Sequence, residues 1–287
     1  MLTFCYIWIN EGFELALNLL LHKKNDIKND NLIVLIHGLG ASDNTWKQDG
    51  ISWIDLFLTD DTFKNVDVAE ITYDTFHLAN GLLALMGIKK LKLGKFKSFS
   101  VGKGPFTTIE TLARELKREI DSKKIKQYKN VLLIGHSMGG LVAIRYILEE
   151  LEHNQTHNVK GMISLATPYN GSSFALYNQL IKSINKHAQI PSLEPNSSFL
   201  DETIRLWQKH LETINLDFKF FFGTEDTIVP ENSAIPHIVR SKWTGGIPLP
   251  GDHSGILKVE NHSSISYRHV SEAVNEIFER DIVLKKK

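Results

Sequence analysis

The 287-residue sequence predicts an α/β domain, a mostly parallel central sheet flanked by helices. Three observations carry this expectation. Short aliphatic or β-branched runs alternate with helix-length segments. One of those runs, Val131–Ile134, ends in Gly135-His136-Ser137-Met138-Gly139, a serine boxed by glycines where a helical pattern begins. No internal repeat and no long linker divides the chain, so residues 1–287 read as one domain.

In chain order, Phe4–Ile9 and Phe13–Leu19 read as edge strands of an opening hairpin. The sheet strands are predicted at Leu32–Ile36, Val68–Thr72, Val131–Ile134, Lys160–Leu165, Phe218–Phe222 and Ile247–Leu249. Helices are expected over Ile109–Ser122, Met138–Leu151, Ser198–Glu212 and Ser266–Arg280. In the first of them Ile109, Leu112, Leu116 and Ile120 recur at helical spacing. Phe76–Pro105 and Asn170–Asn196 fall outside the alternation; long connections in a compact domain are functional or disordered, and 76–105 reads as a lid-like insertion.

Composition narrows the function classes. Lys and Arg number 33 against 33 Asp and Glu, so no net field recruits nucleic acid and no nucleic-acid partner is expected. Cys5 is the sole cysteine, which excludes an internal disulfide and any multi-cysteine zinc site. There is no G-x-x-x-x-G-K-[ST] loop and no H-E-x-x-H pair, so neither cofactor nor metal is expected. Leu15 to Leu21 is apolar in places, but Glu11 and Glu14 and the lack of a basic start make a poor leader. No uncharged apolar run reaches the roughly 18 residues of a spanning helix. A soluble, cytoplasmic protein is the expectation.

The glycine-boxed serine is the centre of the chemical reading. A buried-strand run enters it and Leu141, Val142, Ile144, Arg145 and Ile147 lead out as an amphipathic helix. A serine at such a corner is held in a strained backbone conformation and needs small neighbours where strand and helix meet. Its oxygen is presented at the carboxyl edge of the sheet. The amide of Met138, at the helix N-terminus, is placed to stabilise an oxyanion.

A nucleophilic serine needs a base, and the base needs an orienting acid. Asp226, just past the Phe218–Phe222 strand and Gly223, is the first choice for the acid, with Glu225 as competitor. His253 follows the Ile247–Leu249 strand and a Pro-Gly-Asp turn and is the first choice for the base. Its rival is His262; His269 reads as a surface or packing residue of the last helix, and His187, His210 and His237 complete the field. His37-Gly38-Leu39-Gly40, after the first central strand, lets the chain turn tightly and aims the amide of Leu39 inward as a second oxyanion donor. The His37 side chain reads as shaping that loop.

Six segments, LIVLIHGLGASDNTW, EITYDTF, LLIGHSMGGLVAIRYI, LATPYNGSSFA, GTEDTIVP and GDHSGI, together resemble the serine esterase branch of the α/β-hydrolases. That branch includes the serine-active-site-containing proteins and the GPI inositol-deacylase-like lipases. The similarity runs from about residue 32 to 280. It implies the α/β-hydrolase fold, a triad at Ser137, Asp226 and His253, and an oxyanion hole from the amides of Leu39 and Met138. Tyr169 stands where many relatives carry histidine, a departure expected to alter pocket lining and not chemistry.

The function expected is a serine hydrolase that cleaves carboxylic esters of lipids or other acyl substrates through an acyl-enzyme. An acyltransferase or lipid-remodelling enzyme would use the same intermediate. A hydrolase fold kept for binding, with a vestigial site, is the reading from another class; the joint survival of every triad candidate and both oxyanion loops argues against it. Residues 82–103 carry Lys89, Lys90, Lys92, Lys95, Lys97 and Lys103 among apolar residues and no acid. Such a segment can contact an anionic membrane surface through residues 89–103, cover an acyl pocket as a lid, or pack as a plain insertion with its lysines in water.

Overall fold

The structure is a computed structural model, and it describes residues 17–25, 28–38, 45–73, 108–153, 158–171, 197–239 and 245–284. Within them one seven-stranded sheet forms from β1 (Leu17–His22), β2 (Asn31–Ile36), β3 (Val66–Tyr73), β4 (Asn130–His136), β5 (Val159–Leu165), β6 (Asp217–Gly223) and β7 (Ile247–Leu249). The spatial order is β1-β3-β2-β4-β5-β6-β7. β1 runs antiparallel to β3 at one edge; every other pair is parallel. The described helices are α1 (Trp53–Thr59), α2 (Ile109–Ile120), the single turn α3 (Lys123–Lys126), α4 (Met138–Glu152), α5 (Ser198–His210), the single turn α6 (Glu231–Ala234) and α7 (Ile265–Leu284). This is the architecture the alternating pattern predicts.

The central strands read as continuous apolar runs because both of their faces are covered. Side chains alternate across a strand, so Leu32, Val34 and Ile36 of β2 enter the layer under α2, α4 and α5. Ile33 and Leu35 enter the opposite layer, with Trp53 and Phe57 of α1 and Val270 and Val274 of α7. β4 divides in the same way, with Leu133 on the first side and Leu132 and Ile134 on the second. The two layers leave the carboxyl ends of the parallel strands as the one rim where several loops meet.

Helix starts follow their caps. The Thr108 hydroxyl accepts the Thr111 amide at 3.2 Å to open α2, whose buried stripe includes the predicted Ile109, Leu112, Leu116 and Ile120. The Ser52 hydroxyl accepts the Ile54 amide at 3.1 Å to open α1. Sequence periodicity did not anticipate α1, because its seven residues are too few to display a repeat. Of the strand expected over Phe13–Leu19, residues 13–16 lie outside the described residues, and the described strand runs over Leu17–His22. Phe4–Ile9, the insertion 76–105 with its lysines at 89–103, and residues 172–196 lie outside the described residues. No described helix is long and apolar enough to cross a membrane.

The corner between β4 and α4 is packed without spare room. A side-chain carbon on Gly135 would lie 2.6 Å from Gly140 Cα, and one on Gly139 would overlap the carbonyl oxygens of Ile36 and His37. Backbone atoms cannot retreat as a side-chain tip can, so Gly139→Ala is expected to lower unfolding free energy by about 3 kcal/mol in urea titration. Gly245→Ala, at a position with nothing within 4 Å, is the control and should stay within about 0.5 kcal/mol of the parent.

Candidate active site

Ser137 sits between β4 and α4 with φ 53° and ψ −127°, a left-handed conformation that is costly for a non-glycine residue. It persists because its surroundings over-determine it. The Ser137 amide donates to Leu165 O on β5 at 2.9 Å, and its carbonyl accepts the Gly140 amide at 3.0 Å. The glycine contacts described above let α4 press against the β2 end. The strain therefore turns the Ser137 hydroxyl out over the strand ends.

The structure brings Ser137, His253 and Asp226 into one hydrogen-bonded chain. The Ser137 hydroxyl lies 3.0 Å from His253 Nε2, and His253 Nδ1 lies 2.8 Å from Asp226 Oδ2. Asp226 is a carboxylate acceptor, so Nδ1 carries the proton and Nε2 is left as the acceptor for the serine hydroxyl. The second carboxylate oxygen, Oδ1, accepts the amides of Ile228 and Val229, both at 2.8 Å. Those two bonds fix the acid's rotamer. All three side chains are buried, which strengthens every electrostatic contact among them.

Each member comes from a loop at the same rim. Asp226 follows β6 in the turn closed by its own amide on Gly223 O at 3.2 Å. His253 follows β7, and the two loops are tied where the amides of Thr224 and Glu225 donate to Leu249 O and Gly251 O at 2.9 and 3.0 Å. Glu225, the competing acid, is exposed and does not join the chain.

The competing histidines are occupied elsewhere. His262 Nε2 donates to Leu56 O at 3.0 Å and lies 3.2 Å from Thr59 Oγ1, closing the C-terminal turn of α1. His269 faces Glu272 at 3.4 Å along α7, and His210 pairs with Glu152. His237 lies 3.3 Å from Asn170 Oδ1. His187 is outside the described residues.

Of the two oxyanion candidates, Met138 opens α4, where its amide has no intrahelical acceptor. Leu39 lies outside the described residues, but its approach is built. His37 is buried and stacks on Tyr73 with ring centroids 4.1 Å apart. His37 Nε2 accepts the Tyr73 amide at 3.2 Å, and the Tyr73 hydroxyl donates to His37 O. These contacts make His37 a shaper of the loop. Tyr169 is 1% exposed and packs against Trp207 and Phe220, at 5.5 and 5.8 Å between centroids. The aromatic residues of α5 and β6 take up its ring.

Sequence reasoning gave His136 no role, although it directly precedes the serine. The structure buries it and puts its Nε2 at 2.9 Å from His253 O. Burial pushes its ring down to about 3, and neighbouring His253 pushes the same way, so the ring is neutral. No described group of His, Cys, Asp and Glu side chains is arranged to hold a metal ion.

Residues 109–199, a segment that includes Ser137, match the family model described as Lecithin:cholesterol acyltransferase. No curated protein matches the chain. Solved structures do. The mature Bacillus licheniformis lipase BlEst2 is 17% identical with a TM-score of 0.53, over 84% of this chain and 93% of that one. The Paleococcus ferrophilus monoacylglycerol lipase is 17% identical with a TM-score of 0.52, over 91% and 97%. YbtT, a type II thioesterase from the yersiniabactin biosynthetic pathway, is 14% identical with a TM-score of 0.53, over 90% and 97%. The chain has the α/β-hydrolase fold.

Two substitutions separate the rival histidines. His262→Phe is expected to cost about 1 kcal/mol of stability through the lost α1 contact and to leave the reactivity of Ser137 toward an organophosphonate unchanged. His253→Phe should abolish most of that reactivity, measured by the rate of covalent labelling.

Proposed function

We propose that the chain is a serine hydrolase that cleaves carboxylic esters of lipid or other acyl substrates. The observation that carries this reading is the continuous chain from Asp226 Oδ2 through His253 to Ser137 Oγ, at 2.8 and 3.0 Å, on a strained strand-to-helix corner. The two lipases and the thioesterase of the same fold support ester chemistry. No metal or cofactor is required for the steps that follow.

In the proposed reaction His253 Nε2 takes the Ser137 proton as Oγ bonds the acyl carbon. The carbonyl oxygen becomes an oxyanion, held by the Met138 amide and, in this proposal, by the amide of Leu39. Asp226 keeps His253 in the required tautomer and stabilises the imidazolium. As the tetrahedral adduct collapses, the acyl carbon–alkoxy bond breaks and His253 returns the proton to the leaving oxygen, releasing the alcohol. Water then attacks the acyl-enzyme with His253 again as base, freeing the acid and restoring the Ser137 hydroxyl.

Ser137→Ala is expected to lower hydrolysis of p-nitrophenyl acyl esters by roughly three orders of magnitude or more, and to abolish fluorophosphonate labelling. Asp226→Asn should label slowly and lose roughly three to four orders of magnitude in kcat, because the amide leaves His253 in the wrong tautomer. Full activity in Ser137→Ala would refute the reading.

A second reading rests on the match of residues 109–199 to an acyltransferase family. The acyl-enzyme could pass its group to an alcohol in place of water, with the same residues in the same roles. Product analysis with an added alcohol acceptor decides it: hydrolysis gives free acid throughout, whereas transfer gives a new ester that rises with acceptor concentration.

A further inference from the structure

We propose that His136 is a positioning residue whose Nε2–H holds the backbone of the base, His253, at the spacing its ring needs to reach Ser137. The proposal rests on the serine hydrolase reading above and deepens it.

The main chain around the base is anchored chiefly to neighbours other than the nucleophile's strand, among them Trp53, whose Nε1 donates to Leu257 O at 2.7 Å. The base follows β7, a strand of three residues that, among the described residues, lies at the sheet edge and pairs only with β6. The bonds from Thr224 and Glu225 and the ring's contact with Asp226 all tie the base loop to the acid loop. None of them reaches the nucleophile's strand. The His136 bond does, spanning 2.9 Å between the residue before Ser137 and the main chain of His253. Since residues 136 and 137 are covalently joined, a displacement of the strand end carries the nucleophile and the base together.

The chemistry of the bond fixes the tautomer. A carbonyl oxygen only accepts, so His136 Nε2 must carry the proton and Nδ1 a bare lone pair. Nδ1 is buried, has no hydrogen-bond partner among the described residues, and faces Gly38, where an added side-chain carbon would come within 3.4 Å. His136 thus stands between the base and the entry to the proposed oxyanion loop. The rings of His136 and His253 lie 5.0 Å apart. A neutral donor suits this place, because the imidazolium that forms on His253 during the reaction would be opposed by a second cation. The titratable groups around it are His253, Asp226 and His37.

The test combines kinetics with a spectroscopic signature. His136→Phe fills the ring's space without a donor and should lower kcat roughly ten- to a hundredfold with KM within about twofold, the mark of a misplaced base. His136→Gln, whose amide N–H reaches toward the same carbonyl, should recover most of the loss. Equal kcat in His136→Phe and the parent overturns the proposal, as does an equal loss in both variants matched by an equal fall in melting temperature. Long-range 1H–15N NMR of the unmodified protein at neutral pH should show His136 protonated on Nε2 alone; the Nδ1–H tautomer overturns the proposal without any variant. Absence of Ser137-dependent turnover in the parent would remove the hydrolase reading itself, whereas Ser137-dependent turnover that His136→Phe leaves untouched removes only the positioning role.

Discussion

The constraint on which the site depends is the backbone of Ser137, held at φ 53° where β4 meets α4. An L-residue does not choose that conformation unaided. It is enforced from three sides: the Leu165 carbonyl on its amide, the Gly140 amide on its carbonyl, and glycine surfaces that let α4 lie directly on the end of β2. The cost of the strain is carried by the two buried layers of the sheet. Relaxing it would swing the hydroxyl away from the imidazole at 3.0 Å.

Everything else at the site is a problem of bringing distant residues to that fixed point. Parallel strands joined by covering helices send all their carboxyl ends to one rim, which is where open α/β sheets place their ligands. β4, β6 and β7 therefore deliver residues 137, 226 and 253 to the same place. The backbone ties between the β6 and β7 loops set acid against base, and two amides of the 228–229 turn hold the free oxygen of Asp226. The result is a preorganised set of dipoles, the arrangement that the proposed reaction calls for.

Much of this was legible in the sequence because the signals were strong and local. Buried parallel strands are continuous apolar runs, so Leu32–Ile36 and Val131–Ile134 could be placed closely. The glycine-boxed serine reports a steric need that few other motifs impose. Asp226 and His253 were readable from their positions just past strand ends. What could not be read lay in contacts between segments far apart in the chain. The packing partners of Tyr169, Trp207 and Phe220, become its neighbours only when α5 folds over the sheet. α1 lacked the length to show periodicity. His136 gave no signal beyond its place before the serine, since its bond to residue 253 crosses a sequence separation of 117.

A covalent adduct exposes the geometry of the site most directly. A crystal structure of the chain after reaction with an alkyl phosphonate should show the phosphorus on Ser137 Oγ, its phosphoryl oxygen accepting a hydrogen bond from the Met138 amide, and His253 still paired with Asp226. Phosphorus on another residue, or a phosphoryl oxygen turned away from the α4 N-terminus, would contradict the proposed reaction.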